Sequence, residues 1–213
     1  MPTVHVKPFT FSDFATNCYV CDSDGEAVIV DASCSTDEET SELVNYINSN
    51  NLNVRHLLLT HAHIDHILGC NTLAKQFNLS WQAHRDTSIW LAGAPAQALL
   101  YGIRMVRPPK AGSWLDEGDI IQFGNAQWHI LHTPGHAPGS ICFVDDANGF
   151  VIVGDVLFNQ SIGRTDLPGG NMGTLMASIF QKLFTLPNDM LVYSGHGPPT
   201  TIGAERSQNP FLV

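Results

Sequence analysis

Residues 54–66, VRHLLLTHAHIDH, join a predicted buried strand to a dense group of polar side chains. Three consecutive leucines at 57–59 are typical of a strand that is covered on both faces. The next six residues contain His61, His63, Asp65 and His66, and imidazole and carboxylate groups are ligands for zinc, iron and manganese. A loop that leaves a sheet can turn alternate side chains toward different points, so His61 and His63 can serve one ion and Asp65 and His66 another. A chance polar cluster is the alternative, and four such side chains at this spacing argue against it.

Three further ligand-type side chains follow other predicted strands, each close to a glycine: His136, Asp155 and His196. Polar residues where a strand ends and the backbone turns often carry function. Any one of the three would more often be structural by itself, but with the first four they make five histidines and two aspartates. Because one tetrahedral ion needs four ligands, this number suits two ions that share a bridging carboxylate.

The remaining histidines and one further aspartate are weaker candidates. His132 lies four residues before His136 and could support the ligands from behind. Asp31, at the end of a predicted strand, is either a carboxylate that orients a ligand imidazole or a turn residue. The other histidines are expected on the surface or in packing: His5, His56, His84 and His129.

Strand and helix patterns alternate along the chain without a repeat or a low-complexity tract. The segment 92–113, rich in Ala, Gly and Pro, is expected to leave the sheet as an excursion. Two successive groups of strands and helices, packed as layers around one core, predict an α/β fold in a single domain over residues 1–213. Helices are predicted at 35–48, with a capping box of Ser35 and Glu38, at 67–77 and at about 175–183. Strands are predicted at 4–9, 17–21, 26–30, 54–60, 80–83, 120–123, 127–132, 140–145, 150–153 and 191–194.

Composition excludes several classes of protein. Of the 213 residues, 44% are apolar and 14% charged, which excludes an intrinsically disordered chain. The formal charge of −10 disfavours nucleic acid and anionic membranes as partners, because both would repel the protein. Apolar runs are far shorter than the roughly 20 residues of a spanning helix, and residues 1–7 show no secretory signal. Five scattered cysteines, an odd number, are typical of a reducing compartment, so a cytoplasmic location is expected.

Four motifs together resemble those of the metallo-β-lactamase superfamily: HxHxDH at 61–66, TPGH at 133–136, GD at 154–155 and GH at 195–196. GRTD at 163–166 and the tail at 197–211 further resemble the short glyoxalase II type hydrolases. The resemblance implies an αββα sandwich (α/β, α+β), in which helices flank two mixed β-sheets and the metal site lies at one edge. Full-length glyoxalase II has a C-terminal helical domain that holds glutathione, and the resemblance implies that this domain is absent here.

The resemblance also implies two divalent metal ions, with zinc expected and iron or manganese as alternatives. The β-lactamases that use a Cys ligand where Asp155 stands differ at this position, so antibiotic hydrolysis is not expected. By resemblance, one ion takes His61, His63 and His136, the other takes Asp65, His66 and His196, and Asp155 bridges the two.

The implied activity is hydrolysis of a thioester, with a hydroxide generated at the metals attacking a hydroxyacyl-thiol such as S-D-lactoylglutathione. Two metal ions about 3.5–4 Å apart can lower the pKa of a shared water to near 7. Asp65 and Asp155 are the candidate catalytic residues, because Asp65 can both ligate and orient the nucleophile. The expected partner is therefore a small-molecule thioester, a glutathione conjugate among the candidates, and the oligomeric state is left open.

Basic residues predict where an anionic substrate would bind. Arg104, Arg107 and Lys110 cluster in the 92–113 segment, and Arg164 lies in the loop after Asp155, so these four form a candidate substrate rim in an otherwise acidic chain. A solvated loop is the alternative for the first three.

Two other activities stay open. Persulfide dioxygenases, which use a single iron, also carry HxHxDH and a GRTD stretch. A metallo-hydrolase of another ester or lactone class is the second alternative.

Overall fold

The computed structural model describes residues 3–105, 107 and 109–213, whose longer strands form two six-stranded sheets. The first sheet contains β1 (His5–Phe11), β2 (Thr16–Ser23), β3 (Glu26–Val30), β4 (Asn53–Leu58), β5 (Trp81–Ala83) and β6 (Ala111–Trp114). The second contains β7 (Ile120–Phe123), β8 (Ala126–His132), β9 (Ile141–Asp145), β10 (Phe150–Gly154), β13 (Leu191–Ser194) and β14 (Thr200–Thr201). A short hairpin pairs β11 (Leu157–Phe158) with β12 (Ser161–Ile162). The α-helices of the described chain are α1 (Asp37–Ser49), α2 (Cys70–Phe77), α3 (Ser88–Leu100), α4 (Met172–Gln181) and α5 (Ile202–Gln208).

Both sheets are mixed. In the first, β1, β2 and β3 are antiparallel neighbours, and β3 to β6 run parallel in sequence order. In the second, the order is β14-β13-β10-β9-β8-β7, and only the β13–β10 pair is parallel. Because parallel strands need crossover connections, α1, α2 and α3 each link two strands of the first sheet and cover its outer face.

Three layers of apolar contacts hold the sheets and helices together. Trp128 and Phe143 of the second sheet pack against Leu58 of the first in the space between the sheets. Leu43 of α1 belongs to the core on the outer face of the first sheet, and Leu175 of α4 to the core outside the second. This is the predicted αββα sandwich, and the fold class is confirmed.

The N-cap of the first helix lies one residue later than predicted. Thr36, with extended backbone, is the N-cap: its side chain accepts from Glu39 N at 3.1 Å. The Glu39 carboxylate accepts in return from the backbone nitrogens of Ser35 at 2.6 Å and Thr36 at 3.2 Å. The predicted Ser35 and Glu38 capping box is therefore wrong by one position, because Glu39 is the side chain that reaches back.

The segment 92–113 is more regular than predicted. Helix α3 continues to Leu100 in spite of Pro95, and residues 111–114 form the edge strand β6, so the expected excursion is limited to the connection between them. Leu91, Ala94 and Ala98 recur at helical spacing and are buried against the first sheet, which outweighs the backbone hydrogen bond lost at the proline.

Two boundaries near the polar motif also differ from the prediction. β4 ends at Leu58, before Thr60, and residues 64–66 form a single 3₁₀ turn. Helix α2 then starts only at Cys70, three residues later than expected. The motif therefore occupies a compact loop rather than leading directly into a helix.

Two further features concern the cysteines and the length of the helices. All five cysteines are buried and unbonded, and Cys18 and Cys21 lie in different cores on the two faces of β2. Among the described helices, none combines the length and the apolar character needed to cross a bilayer.

Gly135 should be the least replaceable residue of the turn before His136. It has φ +132°, and a Cβ there would lie 2.2 Å from the backbone nitrogen of Leu175. Gly25 also has a left-handed φ, +77°, but a Cβ would meet no atom within 4 Å. We expect Gly25→Ala to cost about 1 kcal/mol of unfolding free energy and Gly135→Ala ~3 kcal/mol or more, because α4 cannot move aside. Thermal unfolding followed by circular dichroism measures both; equal losses would show that the turn is not held by α4.

Candidate metal centre

One edge of the sandwich collects all seven predicted ligand-type side chains. Four of them come from the loop after β4, and the others follow β8, β10 and β13 of the second sheet. Both sheets end here, so donors from the two halves of the chain face one another. Close approach is essential: a Cβ on Gly195 would lie 2.1 Å from Asp155 Oδ1.

The first group consists of His61, His63 and His136, all buried. Their candidate ligand atoms lie within 4.8 Å of one another. His63 Nδ1 is 2.8 Å from His136 Nε2, and the ring of His61 stands edge-on to both, with centroids 4.8 and 4.9 Å away. Three imidazoles converging in this way form one face of a metal site.

The second group consists of Asp65, His66 and His196. Asp65 Oδ2 lies 3.3 Å from His66 Nε2 and 3.2 Å from His196 Nε2. The same oxygen accepts a hydrogen bond from the buried hydroxyl of Thr16 at 2.8 Å. Thr16 was not predicted as a site residue, since a threonine at the start of a strand gives no sequence signal.

Asp155 contacts histidines of both groups. Its Oδ1 is 3.3 Å from His66 Nε2, while its Oδ2 is 3.5 Å from His196 Nε2 and 3.6 Å from His136 Nε2. The carboxylate therefore stands between the two groups, which is the position that a bridging ligand requires.

Buried partners orient the imidazoles from behind. Asp31 Oδ2 accepts from His66 Nδ1 at 2.9 Å and from the Thr60 hydroxyl at 2.7 Å. Because that hydroxyl donates to Asp31, it accepts from His61 Nδ1, 3.0 Å away. His136 Nδ1 donates to the carbonyl of Arg164 at 2.8 Å. In each case the outward nitrogen has a fixed partner, which orients the ring so that its inward nitrogen faces the site.

Buried polar atoms without partners show that the site fits cations. Among the described residues, Nε2 of His61, His63 and His66 and Oδ1 of Asp155 are buried and make no hydrogen bond. A buried polar atom left unsatisfied costs about 1–3 kcal/mol, so four of them in one place are expensive unless a ligand satisfies them. Imidazole nitrogen and carboxylate oxygen are what zinc, iron and manganese accept, so these residues fit divalent metal ions.

The electrostatics differ between the two groups. Burial lowers the pKa of His61 well below its usual value and that of His63 to about 4, so both are neutral at pH 7. Burial acts in the same direction on His66 and His196, but Asp65 and Asp155 outweigh it, raising the pKa of His66 well above normal and that of His196 to about 10. Burial raises the pKa of Asp65, and the neighbouring histidines outweigh it to give about 2.

Two cavities open onto the ligands. The metal-site cavity, about 340 Å³, reaches His63, Asp65, His136, Asp155 and His196. Its walls are mainly apolar: Phe14, Trp90, Leu100, Tyr101, Leu167 and Pro168. A second cavity, of about 470 Å³, also reaches His136, Asp155 and His196 and is lined in addition by Phe158 and Pro198.

The candidate rim is split between three places. Arg164 lines both cavities at the ligands, and its exposed guanidinium forms two 2.7 Å hydrogen bonds with Asp166. Arg104 and Arg107 instead line a separate cavity of about 610 Å³. Lys110 shares another cavity with Arg107, beside Trp81. The structure therefore does not bring Arg104, Arg107 and Lys110 around the metal-site cavity, because β6 carries the chain back to the sheet after Lys110.

Three residues of the cavity wall were not predicted from the sequence, and one predicted support residue makes its contacts elsewhere. Phe14 comes from the turn between β1 and β2, whereas Trp90 and Tyr101 belong to α3 and its C-cap, and all three look like ordinary core or surface apolar residues in the sequence. His132, a candidate support, stacks on His84 with centroids 4.0 Å apart and hydrogen-bonds the carbonyl of Pro138 rather than a ligand.

Comparison with known proteins gives the same picture. The sequence profile of the metallo-beta-lactamase superfamily matches residues 12–196. The hydroxyacylglutathione hydrolase GloC of Haemophilus influenzae is 36% identical over 212 residues, 98% of each chain. The probable metallo-hydrolase YqgX of Bacillus subtilis is 42% identical over 200 residues, 92% of each chain.

Solved structures share the fold over almost the whole chain. The BLEG-1 B3 metallo-beta-lactamase superposes with a TM-score of 0.88 at 36% identity, over 98% of this chain and 100% of that one. TTHA1623 in a di-iron-bound form gives 0.88 at 35% identity, over 97% and 100%. ETHE1 from Myxococcus xanthus gives 0.80 at 26% identity, over 98% and 84%. With the layered fold, the assembled ligand set and a profile match that spans it, this chain belongs to the metallo-β-lactamase superfamily.

Proposed function

We propose that this metallo-hydrolase cleaves thioesters in the manner of glyoxalase II, with a hydroxyacyl-thiol such as S-D-lactoylglutathione as substrate. The observation that supports this most directly is the division of the ligands into two groups that Asp155 connects. The relative from Haemophilus influenzae, named a hydroxyacylglutathione hydrolase, supports the choice of substrate.

Two divalent ions, bound by the two groups, would supply a hydroxide at neutral pH and polarise the substrate carbonyl. Asp65 Oδ2 accepts a hydrogen bond from the Thr16 hydroxyl and lies beside His196 Nε2, and the residue lines the metal-site cavity. Its carboxylate can therefore accept a hydrogen bond from the attacking water and orient it. The apolar walls limit competing water and hold the acyl group. A thiolate leaving group needs little protonation, which suits a site whose cavity walls offer few proton donors.

One alternative has a specific observation behind it. The HxHxDH and GRTD motifs, which persulfide dioxygenases also carry, leave that activity open, and it would need a single iron. Metal identity also stays a proposal, with zinc first and iron or manganese as alternatives, since TTHA1623 was solved in a di-iron-bound form.

Metal content distinguishes these possibilities. We expect about two ions per chain, with one lost in His136→Ala and one in His196→Ala, because each variant removes a ligand from a different group. His129→Ala is the matched control, since His129 lies on β8 and pairs with the exposed Asp146. Elemental analysis of purified protein measures this. A single ion that His196→Ala leaves in place would contradict a binuclear site and favour the iron oxygenase.

Activity assays test the substrate class. Asp65→Ala and Asp155→Ala should each lower kcat/KM for S-D-lactoylglutathione by about 100-fold or more, because each removes a ligand. Asp146→Ala, an exposed aspartate, is the control and should retain activity. Oxygen uptake with glutathione persulfide and cleavage of a β-lactam are measured in parallel. Turnover of either one, or of a phosphodiester, without thioester cleavage would exclude the proposal.

Zinc binding should release more protons from the group that contains His66 and His196 than from the group that contains His61 and His63. At pH 7 the raised pKa values of His66 and His196 keep both protonated, so zinc must displace their protons, whereas His61 and His63 are already neutral. Zinc affinity of the second group should therefore fall as the pH falls. Calorimetry in buffers of different ionisation enthalpy should show fewer protons released per zinc in His196→Ala than in His136→Ala. Equal release from the two variants would refute this difference.

A further inference from the structure

The cavity of about 610 Å³ lies directly beside the metal-site cavity and shares one wall with it. Phe14 lines both. Tyr101, at the end of α3, lines the metal side, and three residues later Arg104 lines the other side together with Arg107. The ring of Phe14 meets that of Tyr101 edge-on, with centroids 5.3 Å apart. An aromatic pair therefore marks the boundary between the metals and the two arginines.

From this arrangement we propose that the cavity of Arg104 and Arg107 binds the anionic end of the thiol half of the substrate. The acyl group and the scissile thioester would occupy the metal-site cavity, and the thiol chain would pass Phe14 and Tyr101. This inference rests on the proposed thioester hydrolysis and narrows its substrates to thioesters of carboxylate-bearing thiols.

Charge supports this assignment. The chain carries a formal charge of −10, and among the described residues the side chains of Arg104 and Arg107 form no ion pair. By contrast, the guanidiniums of Arg55, Arg85 and Arg164 each pair with a carboxylate. Asp13 is the one carboxylate among the described residues that line the cavity, so the two arginines outnumber it. Unpaired guanidiniums are well suited to carboxylate ligands.

The shared wall is held in a fixed position. Ser12 and Ala15, on either side of the turn that carries Phe14, have left-handed backbones with φ of 61° and 51°. Such conformations are costly for residues other than glycine and persist only where the surroundings hold them. Here the Ser12 nitrogen donates to Glu39 Oε1 at 2.6 Å, which ties the turn to the start of α1. Phe14 is thus a positioned residue rather than a loose surface side chain.

The test compares a charged with an uncharged thioester. KM is measured for S-D-lactoylglutathione and for the neutral S-lactoyl-N-acetylcysteamine in Arg104→Ala, Arg107→Ala and the double variant. The ratio of the charged to the neutral KM should rise about three- to fivefold in each single variant and about tenfold in the double, in keeping with exposed charge contacts. Arg107→Lys, which keeps the positive charge, should raise this KM ratio less than Arg107→Ala does. Added salt should raise the wild-type KM for the glutathione thioester more than that of the double variant.

Arg55→Ala is the matched control. It removes one positive charge, also from an exposed arginine, but Arg55 lies near the beginning of β4 and pairs with Glu26, whereas the metal ligands follow the end of that strand. Its KM ratio should equal that of the wild type. A KM ratio that stays constant in the double variant, or that changes equally in Arg55→Ala, would overturn the inference while leaving thioester hydrolysis intact.

A binding measurement separates this inference from the proposed function. S-methylglutathione carries the same carboxylates but no thioester, so its dissociation constant can be measured by calorimetry whether or not the protein cleaves thioesters. About tenfold weaker binding to the double variant supports the arginine cavity even if no thioester is hydrolysed. Unchanged binding of S-methylglutathione excludes it.

Discussion

The contact on which the site depends is the buried carboxylate of Asp31. It accepts hydrogen bonds from the backbone and hydroxyl of Thr60 at 2.8 and 2.7 Å and from His66 Nδ1 at 2.9 Å. One side chain thereby joins the end of β3 to the loop after β4 and fixes the ring orientation of His66, a candidate metal ligand. Asp31 adopts a left-handed backbone, φ 56°, which is strained for an aspartate and is maintained by these three bonds.

Stability and metal binding are coupled in this arrangement. The sandwich buries its apolar side chains in three cores, yet its edge places imidazoles and carboxylates together where several polar atoms have no protein partner. Those groups oppose folding unless a cation satisfies them. Since an ion that binds only the folded state stabilises it, metal loading contributes to stability as well as to chemistry.

The two sides of the site differ in the way they meet a substrate. Under the proposed function, metal ions would act on a carbonyl inside an apolar cavity, and the inferred recognition of charge would lie beyond Phe14 and Tyr101 in a separate cavity. Such separation is physically reasonable in an acidic protein. Arg104 and Arg107, which form no ion pair with the residues that the structure describes, keep a local positive potential because they line a cavity apart from Asp65 and Asp155. Arg164, closer to the ligands, has its charge compensated by Asp166.

The local patterns of the sequence predicted a layered α/β fold and seven ligand-type side chains at strand ends, whereas the αββα order and the full grouping of those side chains came from the resemblance to the superfamily. Buried strands have continuous apolar runs, and the ligands follow strand ends within short motifs such as residues 61–66. Only the tertiary structure decided the rest. Helix α3 persists through Pro95 because its apolar face packs on a sheet, and it brings the walls Trp90 and Tyr101 against Phe14, which comes from the distant turn between β1 and β2. The tertiary structure also separated Arg104 and Arg107 from Arg164, because sequence spacing does not specify which side of an aromatic wall a charge will occupy.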